Sequence, residues 1–161
     1  MIICGTGHRP DKLGGYSKDV LRGLIEVADR WLERNPPSMV ISGVALGWDT
    51  ALAIAALRRS IPTKAYVPFE GQDSKWPEES RRRYRKILSK CQSTVFASIH
   101  GYTSTCMQFR NKLMVDDSEL VLALWNGEEK GGTWNCIRYA REKGRTIVNL
   151  WEKYRVPEFE I

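Results

Sequence analysis

Short apolar runs alternate with longer amphipathic ones along nearly the whole chain, and no other feature narrows the fold as much. The short runs fall at 1–4, 39–41, 63–67, 93–97, 120–125 and 146–150. Most are rich in Val, Ile and Leu rather than alternating in polarity, as expected of strands covered on both faces. Between them the pattern turns helical. Ser17 is placed to cap a helix over 17–35, with Val20, Leu21, Leu24, Val27, Ala28, Trp31 and Leu32 on one stripe. Pro36-Pro37 ends it. An alanine-rich helix follows at 49–59, and Pro77 opens a basic one to about residue 90. Two more are predicted at 105–116 and at 133–143, the second closed by Gly144. Strand followed by helix, repeated, predicts parallel strands joined by crossovers with helices on both faces. The fold class is therefore α/β, a Rossmann-like three-layer α/β/α domain with a mainly parallel sheet. With 161 residues, 42% of them hydrophobic, and no repeat or linker-like stretch, residues 1–161 read as one domain.

Several function classes fall away at this level. No apolar run approaches the ~20 residues that a membrane helix needs, so no membrane partner is expected. The opening MIICGTGHRP reads as a strand and a turn, without the basic and apolar regions of a signal peptide, which predicts a cytoplasmic protein. Cys4, Cys91, Cys106 and Cys136 show no C-x-x-C spacing and only two histidines accompany them, so neither metal nor cofactor is expected. Cys4 and Cys136 read as buried free thiols. The net charge of +6, concentrated in Arg81-Arg82-Arg83-Tyr84-Arg85-Lys86, favours anionic partners such as phosphates or single-stranded nucleic acid. A solvated helix face accounts for the same run equally well.

In a sheet of this kind ligands bind beyond the carboxyl ends of the strands, which directs attention to four segments. Ser42-Gly43-Val44-Ala45-Leu46-Gly47-Trp48-Asp49 leads from a strand into a helix, whose free N–H groups favour phosphate. Ser42, Gly43, Ala45 and Gly47 would let this loop wrap a ligand, while Asp49 either caps the helix or accepts from a ribose hydroxyl. Gly131-Gly132-Thr133 makes a second such turn, with a plain N-cap turn as its bland alternative. In Gly5-Thr6-Gly7-His8-Arg9-Pro10, Arg9 can grip phosphate. His8 can donate a hydrogen bond or act as a general acid, although a lone histidine is more often structural. After the third strand, Phe69 or Trp76 can stack a base and Gln72 can read its edge, or the loop simply packs on the next helix. Arg110 can reach an anion or lie on a helix surface. The catalytic candidates, if chemistry occurs, are Asp49, Glu70, His8 and Arg110.

Taken in order, these motifs resemble those of the SLOG superfamily, nearest its YpsA-like branch. They run G-x-R-P, S-G-x-A-x-G-x-D, P-F-x-x-Q-x-x-x-W, R-N-x-x-M-V-D-x-S-x-L-V and G-G-T-x-x-x-x-x-Y-A, and they cover about residues 1–150. Relatives of that superfamily include the DNA-processing protein DprA and the lonely-guy phosphoribohydrolases. The resemblance implies a domain that binds a nucleotide or a nucleotide-derived molecule such as an ADP-ribose-like one. It implies ligand contacts at Gly5, Arg9, Ser42, Gly43, Gly47, Asp49, Gln72, Gly131, Gly132 and Thr133, no metal, and self-association into a homo-oligomer. It leaves open an N-glycosidase activity and a DprA-like affinity for single-stranded nucleic acid. One departure stands out. Where the hydrolases carry the glutamate of G-T-x-x-E, this chain has Cys136. A glycosidic step normally uses a carboxylate, and Asp49, Glu70, Asp116, Glu128 and Glu129 are the alternatives. Trp31, Trp48, Trp125, Trp134 and Trp151 offer apolar surface either for an interface or for the core.

Overall fold

The computed structural model describes residues 1–154. Six parallel strands form one sheet: β1 (Ile2–Gly7), β2 (Met39–Ser42), β3 (Thr63–Phe69), β4 (Ser93–Ser98), β5 (Leu120–Leu124) and β6 (Thr146–Asn149), in the order β4-β3-β2-β1-β5-β6. Five α-helices connect them: α1 (Lys18–Arg34), α2 (Trp48–Arg58), α3 (Glu78–Lys90), α4 (Cys106–Asp116) and α5 (Gly131–Glu142). This is the three-layer Rossmann-like architecture that the alternating pattern predicts. Among the described residues no helix is long and apolar enough to cross a membrane.

Each layer follows from its side chains. The Ser17 Oγ accepts from the Val20 amide at 3.2 Å and starts α1, whose Val20, Leu24, Ala28 and Leu32 are buried. These pack with Trp48, Leu52 and Ala55 of α2 over Ile3, Val40 and Leu122 of the sheet. Tyr84 and Ile87 of α3 lie on the same side against Ala65 and Val67. The opposite face belongs to α4 and α5, where Met114, Val115, Cys136 and Ala140 meet Cys4, Ile41, Tyr66 and Val121.

The boundary that differs most from the sequence reading is the end of the first strand, while β3 runs on to Phe69 and α5 starts at Gly131. Gly5 and Gly7 do not stop the first strand. They pair onward with Leu122 and Leu124 of β5. Their missing side chains make room for α2: a Cβ on Gly5 would stand 2.6 Å from Leu52 Cδ2, and one on Gly7 would stand 2.6 Å from Trp48 Cβ. Trp48 is fully buried in that space, and its Nε1 donates to the Leu122 carbonyl at 3.2 Å. The strand order also fixes where a ligand can enter. The chain steps outward from β1 through β2 and β3 to β4, then returns across the sheet to β5. The crevice at this switch lies between the carboxyl ends of β1 and β5.

Candidate functional site

A cleft of about 330 Å3 opens at that switch, within the size range of small-molecule sites. Its walls come from four stretches far apart in sequence. The end of β1 and the turn after it supply Gly5, Thr6, Gly7, His8, Arg9, Asp11 and Lys12. Ala45 comes from the β2–α2 turn and Asp49 from the first turn of α2; Met107, Arg110 and Asn111 from α4; Lys130, Gly131, Gly132 and Thr133 from the start of α5.

The start of α5 is unusually bare. Its N-cap, Lys130, makes no side-chain capping bond, and Gly131 holds φ at +88°. A Cβ on Gly131 or Gly132 would meet nothing within 4 Å, so the chain is uncovered there, and the first N–H groups of a helix have no partner within it. Helix polarity makes this end electropositive. Arg9 is exposed on the facing wall, whereas Lys12 and Lys130 share Glu128 at 3.3 and 3.9 Å.

Asp49 behaves differently from the cap that the sequence allowed. The N-cap of α2 is Gly47, at φ +93°, and Asp49 sits inside the first turn, buried. Its Oδ1 is buried without a hydrogen-bond partner. Loss of solvent pushes the carboxyl up to about 6, against the pull of Arg110, the Ala45 amide and Arg9. Arg110 lies buried beside it, with Nη1 donating to the Gly43 carbonyl at 3.1 Å and to the Tyr66 carbonyl at 3.2 Å. Arg110 therefore ties α4 to the end of β2 and the middle of β3 and supplies a buried positive charge to the cleft.

The loop around Asp49 is tightly held. The Ser42 hydroxyl donates to the Asp49 carbonyl at 2.9 Å and accepts from the Val44 amide at 3.0 Å. Val44 adopts φ +50°, a strained conformation for a β-branched residue. No sequence signal announces it. Ser42→Ala should destabilise the fold by between about 1 and 2 kcal/mol, because it strands the buried Val44 amide and removes the tie to the first turn of α2. Denaturant unfolding reads this directly, and an unchanged midpoint would show that the loop holds itself without Ser42.

Apart from His8, the other residues marked in the sequence lie outside the cleft walls. Ser42 and Gly43 are buried behind the cleft, with Gly43 packed against the Arg110 guanidinium. Gly47 abuts the His8 carbonyl, where a Cβ would stand at 2.5 Å. Gln72 is buried and donates to the Gly43 carbonyl at 3.2 Å, while Glu70 is exposed. Phe69 packs edge-on against Tyr102, and Trp76 against Tyr84. His8 is at the cleft, but its Nε2 accepts from the Asn126 amide at 3.0 Å, and burial holds the imidazole below its usual pKa. It is thus a neutral ring fixing the turn after β5. Cys136 is buried, and desolvation raises its thiol to about 11. Met107 and Asn111 are cleft residues that the sequence reading did not single out.

Residues 3–147 match the profile of the YspA SLOG family. The chain belongs to that family. It is similar to the SPbeta prophage-derived protein YoqJ of Bacillus subtilis, with 27% identity over 154 residues, covering 86% of this chain and 89% of that protein. Among solved structures it resembles DNA processing protein A of Streptococcus pneumoniae, at a TM-score of 0.63 and 21% identity over 90% of this chain. It also resembles DNA processing protein A of Helicobacter pylori, at 0.64 and 19% over 91%. The SLOG chain spans 48% of the first of these proteins and 63% of the second. At such identities the likeness is one of fold.

Proposed function

We propose that this SLOG domain binds a nucleotide or nucleotide-derived molecule, a nucleoside monophosphate or an ADP-ribose-like compound, in the cleft between β1 and β5. The observation that carries this reading is the pairing of opposite chemistries across one cleft. The bare N-terminus of α5 and the Arg9 guanidinium suit a phosphate. The unpartnered, buried Asp49 oxygen suits a hydroxyl donor such as a sugar. Phosphate and sugar hydroxyl on one small molecule describe a nucleotide. Binding or sensing, rather than turnover, is the role favoured by the buried thiol of Cys136 at the position where related hydrolases place a carboxylate.

A second reading has one specific support. A carboxyl near pKa 6 is suited to moving a proton at neutral pH, so Asp49 can serve an N-glycosidase that releases base from a nucleotide. DNA processing protein A of Helicobacter pylori is described as binding single-stranded DNA. For this chain that reading is weakened by the acidic partners of its basic run, since Arg81, Arg82 and Arg83 face Asp73, Glu78 and Glu79.

Thermal unfolding with a panel of nucleoside monophosphates, ADP-ribose and single-stranded oligonucleotides separates these readings, with product analysis in the same wells. At ten times its dissociation constant a ligand should add about 1.4 kcal/mol, visible as an upward shift of roughly 3–5 °C. A shift with intact nucleotide supports binding, and released base supports the glycosidase. A shift with oligonucleotide alone, vanishing as salt rises, would overturn both.

A further inference from the structure

Among the described residues most of the exposed large apolar side chains are gathered in one place, and none of them is a tryptophan. Trp48 is fully buried, and Trp31, Trp125, Trp134 and Trp151 are half-buried. Of the seven exposed large apolar side chains among the described residues, five are Val95, Phe96, Ile99, Tyr102 and Phe109. They occupy β4, the loop after it and the first turns of α4. β4 is an edge strand, paired only with β3.

Edge strands are normally protected by lysine, proline or a bulge against pairing with other chains. β4 has none of these. Residues 91–109 contain no Asp, Glu, Lys or Arg, in a chain that is 27% charged. The net charge of +6 makes two copies repel each other over most orientations. A two-fold interface sets each residue against the same surface of its copy, so a charged face opposes itself and an uncharged one does not. The uncharged edge is where two such cationic chains can meet without that cost. Its length also approaches the roughly 20–30 residues a side of standard interfaces.

We propose that β4 pairs antiparallel with β4 of a second copy of this chain, joining the two sheets across a two-fold axis. The exposed apolar groups on either side of the strand then cover one another. The cleft between β1 and β5 lies away from this edge, so each copy keeps its own site.

Sedimentation and hydrogen exchange test the pairing. The wild-type chain should sediment at twice its 18.5 kDa mass, and Val95→Lys with Phe96→Lys should halve that mass while the protein still melts cooperatively. Amides of β4 should exchange at least about ten-fold more slowly in concentrated than in dilute wild-type protein. This second measurement needs no variant and holds even if the charged one fails to fold. A wild-type monomer at every concentration would overturn the proposal and leave the edge to a different partner. A dimer that survives the two lysines, protection lying elsewhere, or open-ended aggregates would overturn it equally.

Discussion

At pH 8, Asp49→Asn should melt above the wild-type chain by roughly 4–8 °C and should lose its response to nucleotide. A carboxyl whose pKa rises from 3.8 to about 6 on folding costs about 3 kcal/mol once it is ionised. The asparagine amide offsets about 1 kcal/mol of that gain, because its NH2 finds no better partner than the oxygen it replaces. The pH dependence carries the sign. The folded state holds the Asp49 proton more tightly than the unfolded one, so the stabilisation is full below about 3.8 and is lost as pH rises through about 6. The gap between variant and wild type should therefore close, and then reverse, as pH falls toward 4. A gain in stability joined to a loss of binding marks a residue kept for its ligand. An asparagine variant that melts lower at every pH would mean that Asp49 is structural. One that keeps the full ligand shift would remove it from the site.

Arg110→Ala should lower stability by about 3–5 kcal/mol, the largest loss expected from any side chain at the cleft. Nη1 alone serves two carbonyls, Gly43 and Tyr66. Both would lose that buried donor, with Gly43 left only the Gln72 amide, over the hole the side chain vacates. Asp49 would also lose the foremost of the charges that hold its carboxyl down. The two residues should consequently fail to add. Asp49→Asn should recover more stability in the Arg110→Ala background than in wild type, by more than the ~0.5 kcal/mol within which independent sites add. Four denaturation curves at one pH complete this cycle. Strict additivity would mean that Arg110 acts only as a clamp on β2 and β3.

The layered fold was legible because its signal is local. A Ser17 cap, a stripe on α1 and buried aliphatic runs each report on their neighbours in sequence. The strand order is a different kind of fact. The segments after β1, β2, β3 and β5 all look alike as carboxyl-end loops, yet the switch between β1 and β5 gives the cleft to only some of them. Phe69 ends β3 and Gln72 and Trp76 follow it, two strands away from β1, and they are occupied with Tyr102, Gly43 and Tyr84. Gly5 and Gly7 look like a turn because a glycine's usual meaning is conformational. Here the cause is α2, whose Leu52 packs against Gly5 and whose Trp48 packs against Gly7. Asp49 looks like a cap because aspartate at a helix start usually is one. Gly47 takes that position, and the carboxyl is left turned into the protein. Each of these departures is set by a partner that the local sequence does not show.

The central position of β1 also has a kinetic consequence. Its neighbour on one side, β2, follows within a single helix, but its neighbour on the other is β5, where Cys4 meets Val121. On the ribosome, β1 to β4 can associate before β5 exists, which leaves β1 with an open hydrogen-bonding edge. At about 5–20 residues per second, the wait between the end of β4 and the Gly131 turn lasts on the order of seconds. Throughout it the cleft lacks the wall that α5 supplies. That interval, in which the uncharged β4 and the unpaired β1 are both accessible, is when the growing polypeptide most needs a chaperone.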